Sequence, residues 1–313
     1  MKYLINVIAL LASVLIFMKL NIVPTIKEEP TIITAQASKV FLEKEKAKNK
    51  LSVRLLNNKQ IETMDIEEYI IGVVACEMPA SFHNEALKAL AVAARTYALK
   101  KMNNKSTYDL ENSTNHQCYN SKLEMKEKWN SMYDQYYEKV RNAVYSTSNE
   151  ILTYNDEIIL ALYFSTSNGY TENVENVFSQ KLDYLVSVPS PWDKNINYYT
   201  KTKTIPVKDF LTKLKLPETS INSIEINRYN TNNVKTIKIN NKTYTGVSFQ
   251  YKLILNSLDY SIKYDETNVY ITTKGWGHSV GLSQYGADGM AREGYTYDQI
   301  LSHYYTNVKI KNV

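Results

Sequence analysis

A chain of 313 residues, 44% hydrophobic and 22% charged, carries enough apolar side chain for a sizeable core, which excludes a wholly disordered product and a polytopic membrane protein. The formal net charge of +5 includes Lys2 and Lys19, which precede the first acid, Glu28, so the mild remainder gives no case for nucleic acid. Two cysteines, Cys76 and Cys118, make no disulfide framework and leave open one bridge or two free thiols.

From Tyr3 to Met18 the chain is uncharged and rich in Leu, Ile, Val and Ala, and the apolar character resumes from Leu20 to Val23. With Lys19 snorkelling to the interface, about twenty residues span a bilayer. Residues 1–23 are therefore expected to be an uncleaved membrane anchor with the body outside the cytoplasm. The rival is a signal peptide cut at Ala35-Gln36-Ala37, although that site lies far beyond the apolar segment. Residues 24–50 read as a solvated polar stalk that ends in the charge-mixed run from Glu43 to Lys50.

Residues 51–313 read as one α+β domain, a helical catalytic segment packed with a β-rich C-terminal half, with no repeat and no clean linker. Leu51 to Asn57 alternates like a strand. Asp65-Ile66-Glu67-Glu68 has the spacing of a helix start, and Ile66, Tyr69, Ile70, Val73, Val74 and Glu77 share one face until Pro79 stops the helix. A second helix runs from Asn84 to about Met102, with Leu87, Leu90, Ala91, Ala94, Tyr97 and Ala98 as its buried stripe. After a polar loop through His116-Gln117-Cys118, a third is expected over Trp129 to Val144. Strands are expected at Ile151 to Tyr154, Ile158 to Phe164, Tyr184 to Val188, Ser223 to Tyr229, Val234 to Ile239 and Val269 to Thr273. Thr296 to Tyr305 closes the chain as a helix.

Three segments hold chemistry. Glu77 ends the apolar stripe of its helix, where burial and the helix dipole both disfavour a negative charge. A carboxyl kept protonated in this way suits a general acid, though a rim glutamate paired with an arginine has the same pattern. Arg95, on the next helix, could be brought near Glu77 by one helical hairpin, but on its own it reads as a structural ion-pair partner. Gly275 to Ala291 contains five of the nine glycines, in neither a phosphate-loop nor a dinucleotide pattern; a tight turn around a buried His278 is the plain reading. Phe164 to Asn173 offers hydroxyls and amides suited to a hydroxyl-rich ligand.

Taken together these segments resemble the stage II sporulation protein D family. The resemblance rests on Ala75-Cys76-Glu77-Met78-Pro79-Ala80-Ser81-Phe82, on Glu85 through Tyr97, on Ser165-Thr166-Ser167-Asn168-Gly169 and on Gly275 through Ala291, in that order. It implies a membrane-anchored lytic transglycosylase, a lyase that cuts peptidoglycan glycan strands during engulfment in endospore formation. Its catalytic glutamate falls on Glu77, with Arg95, Tyr97, Ser165, Ser167, His278 and Gln284 supporting it or the substrate. A single glutamate suffices because the muramyl C6 hydroxyl closes an anhydro ring, whereas ordinary glycosidases need two carboxylates. The implied partners are glycan strands, the wall amidase stage II sporulation protein P and the membrane protein stage II sporulation protein M. A noncatalytic wall-binding protein that stimulates an amidase is the alternative.

Two positions depart from the family pattern. Cys118 stands in Gln117-Cys118-Tyr119 where Gln-Val-Tyr is common, and Ser279 stands where a glycine usually follows the histidine. No cofactor is required. His116 and Cys118 are zinc-ligand types, but they supply two ligands where structural zinc takes four. A cysteine peptidase built on Cys76 with His83 or His278 is disfavoured, since neighbouring helical residues point about 100° apart; Cys76 is expected to be packed.

Overall fold

The structure, a computed structural model, describes residues 51–102, 106–196, 199–217 and 219–313. The expected anchor (1–23) and stalk (24–50) lie outside the described residues. Among those described, no helix is long and apolar enough to cross a membrane.

β1 (Ser52–Asn57) and β2 (Gln60–Asp65) form an antiparallel hairpin, Ser52 opposite Asp65 and Asn57 opposite Gln60. Asn58 and Lys59 turn it with positive φ at both positions, the conformation that matches strand twist in a two-residue loop. β2 escapes the sequence reading because its first four residues are exposed and carry no apolar alternation. Asp65 then caps α1 (Ile66–Glu77), its side chain accepting from the Glu67 N–H at 2.9 Å. The helix stops as Met78 turns extended, as the residue before a proline prefers. Gly72 faces the Tyr119 ring, which occupies the space a Cβ would take.

α2 (Asn84–Lys101) is the hub. Its first turn holds Glu85 and its last turn Lys100 and Lys101, charges that suit the helix dipole. Ala86, Ala89, Ala91, Ala93, Ala94 and Ala98 are buried without exposed surface, so neighbouring elements approach closely. The expected helix over 129–144 is α4 (Tyr133–Ser146), and a further helix that the sequence reading does not give, α3 (Lys122–Trp129), precedes it, the two parting at Asn130, whose φ is 46°. α3 starts in a full capping box between Ser121 and Glu124. Short β3 (Leu110–Glu111) joins β1 in parallel.

β4 (Glu150–Tyr154) pairs with β5 (Glu157–Ile158), and the expected strand over 158–164 is interrupted, resuming only as β6 (Tyr163–Phe164). The run 184–188 is no strand. Its Ser187 and Val188 N–H groups donate to the Asn173 and Thr171 side chains at 2.8 Å each, so side-chain acceptors replace a ladder. These bonds lock it against the segment around α5 (Val174–Val177).

Residues 200–274 form an inserted lobe that the sequence reading does not separate. β7 (Thr200–Pro206) opens it, followed by α6 (Val207–Leu214), β8 (Ile224–Arg228), β9 (Val234–Ile239), β10 (Lys242–Thr245), α7 (Gly246–Leu253), β11 (Asp259–Tyr264) and β12 (Asn268–Lys274). β12 runs antiparallel to β7, with Lys274 opposite Thr200, so the chain leaves beside the point where it came in. Phe210, Leu214, Ile237, Phe249, Tyr260 and Ile271 build a core of the lobe's own. With two helices and six strands the lobe is rich in strand, within an α+β fold.

Beyond the lobe, the glycine-rich segment turns around His278 with positive φ at Gly275, Gly277 and Gly281, β13 (Leu282–Ser283) lies parallel to β6, and the second half of the segment forms α8 (Gln284–Arg292). α9 (Tyr297–Tyr304) and β14 (Lys309–Asn312) end the chain, β14 pairing with β4. α2 packs against α1, α4, α8, α9 and β4.

Candidate active site

A cleft of about 770 Å³ opens where the end of α1, the 112–118 loop, β6, the segment after β12 and the start of α8 converge. Glu77 lies in its wall, partly buried. Its Oε1 accepts the Cys118 backbone N–H at 2.9 Å and its Oε2 accepts the Gln284 amide at 3.1 Å. Burial pushes the Glu77 carboxyl above its ordinary pKa, against the opposing pull of these two donors and of Lys128. A group held this way is placed to give up a proton and take it back. It is the one carboxyl among the described lining residues.

Tyr97, Ser165, His278 and Gln284 line the same cleft. The Tyr97 phenol is pushed up to about 12 by burial, and its hydroxyl reaches the Asn115 carbonyl at 3.5 Å. His278 is held at both nitrogens. Its Nδ1 accepts the Val280 N–H at 3.1 Å, which leaves Nε2 to donate to the Tyr163 carbonyl at 3.0 Å. Burial lowers its pKa to about 4, so it is a neutral brace rather than a proton carrier at neutral pH.

Arg95 and Ser167 do not line the cleft. The Arg95 guanidinium forms a buried ion pair with Glu67 at 2.6 Å and donates further to the Val144 and Glu150 carbonyls. The cation whose charge bears on Glu77 is instead Lys128 of α3, whose Nζ donates to the Ala75 carbonyl at 2.8 Å and the Cys76 carbonyl at 3.5 Å. Ser167 turns inward to Asp193, a fully buried carboxyl that accepts from the Ser167 N–H and from the hydroxyls of Ser167, Ser190 and Ser283. Ser283 caps α8, so this knot fixes the helix start that presents Gln284 to Glu77.

Cys76 and Cys118 are joined in a disulfide, which leaves no free thiol. The bridge ties the residue before Glu77 to the residue whose N–H it accepts, and it removes the nucleophile a cysteine peptidase needs. Neither proposed zinc ligand is unengaged: Cys118 is bridged, and His116 Nδ1 accepts the Glu111 N–H at 2.9 Å. Among the described residues no group of three or more His, Cys, Asp and Glu side chains could hold a metal. Ser279 has a φ of 68°, in the left-handed region that favours glycine.

Sequence reasoning passes over Tyr163, Lys128 and Asp193. Their partners come from distant segments, which no local spacing reveals. Half-exposed Trp276 and Phe178 complete the rim.

This cleft sits in a fold for which sequence comparison gives a class: a family model described as stage II sporulation protein matches residues 56–154. The chain is 43% identical over 261 residues to Stage II sporulation protein D of Bacillus subtilis (strain 168), covering 81% of this chain and 76% of that protein. It is 42% identical over 263 residues to Stage II sporulation protein D of Bacillus amyloliquefaciens, with the same coverage of each chain. A more distant relative, Amidase enhancer of Bacillus subtilis (strain 168), is 28% identical over 297 residues, covering 75% of this chain and 39% of that one. The chain belongs to the stage II sporulation protein D family, and with it to the proteins of sporulation.

Proposed function

We propose that this protein is a membrane-anchored lytic transglycosylase acting on peptidoglycan outside the cytoplasm. The observation that carries the reading is Glu77: a partly buried carboxyl with a raised pKa, alone among carboxyls in the described lining of a cleft rimmed by aromatic rings. Paired-carboxylate hydrolysis requires two such groups about 5 to 9.5 Å apart. One group serves when the nucleophile belongs to the sugar. Glu77 protonates the oxygen between N-acetylmuramic acid and N-acetylglucosamine as that bond breaks. The resulting carboxylate then takes the proton of the muramyl C6 hydroxyl as its oxygen bonds to C1, and Glu77 ends protonated as it began. The Cys118 and Gln284 donors hold the carboxylate between the two steps.

The Cys76–Cys118 disulfide supports a location outside the cytoplasm, since disulfides persist in oxidising compartments. Residues 1–23 supply the anchor in this reading, and wall amidase and membrane partners, stage II sporulation proteins P and M, follow from the family. The relative named Amidase enhancer favours a second reading, a noncatalytic wall-binding protein that stimulates an amidase.

Mass spectrometry of purified glycan strands incubated with the protein separates the two. Transglycosylation leaves anhydro-muramyl ends, and their absence with bound strands sinks it. Glu77→Gln should bind strands and lose about 10² to 10⁴ in rate, the usual span for a lost general acid–base group.

A further inference from the structure

One hydroxyl in the cleft is oriented from behind by a chain of side chains. The Tyr69 hydroxyl donates to Gln117 Oε1 at 3.0 Å, and Gln117 Nε2 donates to the Ala94 carbonyl at 3.3 Å and to the Tyr163 phenol oxygen at 2.9 Å. The Ala94 carbonyl can only accept, so the nitrogen of the Gln117 amide must face it, and both amide hydrogens are then in use. A phenol oxygen that receives a hydrogen bond still has its own proton to place. Among the described residues no protein group takes it, and the side chain lines the cleft beside Glu77. The main chain of Tyr163 is fixed as well, by His278 at its carbonyl and by the pairing of β6 with β13.

We infer that the Tyr163 hydroxyl is a substrate-contacting group of this site, donating a hydrogen bond to a sugar oxygen held against Glu77. The identity of the ligand as a glycan rests on the function proposed above; the direction of the hydroxyl does not. No bond is made or broken at Tyr163. It remains a phenol throughout, because burial and the nearby Glu77 charge raise its pKa well above the ordinary value. It therefore differs from Glu77 in kind: one group moves a proton, and the other only shares one.

The test compares Tyr163→Phe with Tyr244→Phe in the full chain. Tyr244 donates a buried hydroxyl to the Leu214 carbonyl within the inserted lobe and reports what losing a phenol does to folding alone. Both variants should show thermal midpoints lowered by similar amounts. Only Tyr163→Phe should lose turnover, by about thirtyfold or more, as expected for an oriented donor to a group that gains charge in the transition state. Adding Tyr163→Phe to Glu77→Gln should also weaken binding of chitotetraose about tenfold by calorimetry. Tyr163→Phe turnover within threefold of wild type, or the same turnover loss in Tyr244→Phe, overturns the inference. If the wild type produces no anhydro-muramyl ends, the transglycosylase reading fails by itself. The chitotetraose measurement then decides Tyr163 alone, and unchanged affinity overturns its role.

Discussion

Phe249 in the inserted lobe and Arg95 in the helical body are both sealed from water, yet they are buried for different reasons. Around Phe249 the neighbours are rings and hydrocarbon, Phe210, Tyr244 and Tyr260 among them. Around Arg95 they are Glu67 and two backbone carbonyls. The lobe is held by apolar area, which tolerates exchange of one hydrophobic shape for another of similar volume. The body spends part of its interior on polar groups that need every partner, and two such clusters, at Asp193 and at Gln117, set the direction of side chains in the cleft.

The sharpest way to break this contrast is to remove one group from each side. Arg95→Ala strands a buried carboxylate and should cost about 3–5 kcal/mol in denaturant unfolding. Phe249→Ala should cost a similar 3–5 kcal/mol by leaving a cavity. The two should part when the whole polar pair is replaced: Arg95→Met with Glu67→Leu recovers most of the loss, because no unpaired charge remains. A double variant as unstable as Arg95→Ala would mean that the body needs the ion pair itself.

The covalent link within the body comes next. Cys76 and Cys118 are 42 residues apart, and closing such a loop restricts the unfolded chain by about 4 kcal/mol. Replacing both by serine should lower unfolding stability by up to that amount while the lobe's own contacts remain. Unchanged stability under the same denaturant series would argue against the bridge. A smaller effect is expected at Ser279, whose left-handed backbone costs a non-glycine residue about 1 kcal/mol. Ser279→Gly should gain about that much, read as a higher thermal midpoint.

The smallest effect concerns pH. Lys128 favours the ionised form of Glu77, so Lys128→Met should raise the Glu77 pKa further and move the alkaline limb of the activity profile upward. The paired Arg95→Met and Glu67→Leu variant should leave that limb in place. For stability the sign follows from the raised pKa. The folded state holds the Glu77 proton more tightly than the unfolded chain, so this group's contribution is present at low pH and lost as pH rises through the folded value. Glu77→Gln should therefore be more stable than wild type near neutral pH, with the advantage vanishing in acid. An advantage that grew on acidification would contradict a raised pKa.

Local signals made much of the frame legible. Asp65 as a helix cap, the run of alanines on α2 and the position of Glu77 at a helix end all follow from spacing and residue type within a dozen residues. What was not legible depends on partners far along the chain. Asp193 looks like one acid in a turn until Ser167 and Ser283 arrive. Likewise Arg95 is matched to Glu67 across two helices, not to the glutamate nearer in motif. α8 is masked by Gly286 and Gly289, weak helix formers kept because Tyr304 and Trp192 occupy the space of their side chains. α6 was within reach: Val207, Phe210, Leu211 and Leu214 stand at helical spacing and are buried.

Because β7 and β12 lie side by side, both chain crossings into the lobe sit together, and beyond them it is held to the body by the Asn168 and Glu172 side chains, which bond Thr231, Asn233 and Asp259. Amide exchange should then show the lobe's strands losing protection together and apart from α2, at a free energy below that of global unfolding. Trp276 follows Lys274 by two positions, and its main chain is bridged to Thr166 of the body. The lobe and the cleft's rim are thus coupled through that bridge and through the Gly277 N–H, which donates to the Asn256 carbonyl at 2.7 Å, and ligand seated against Trp276 should slow exchange in β12, a strand it never touches.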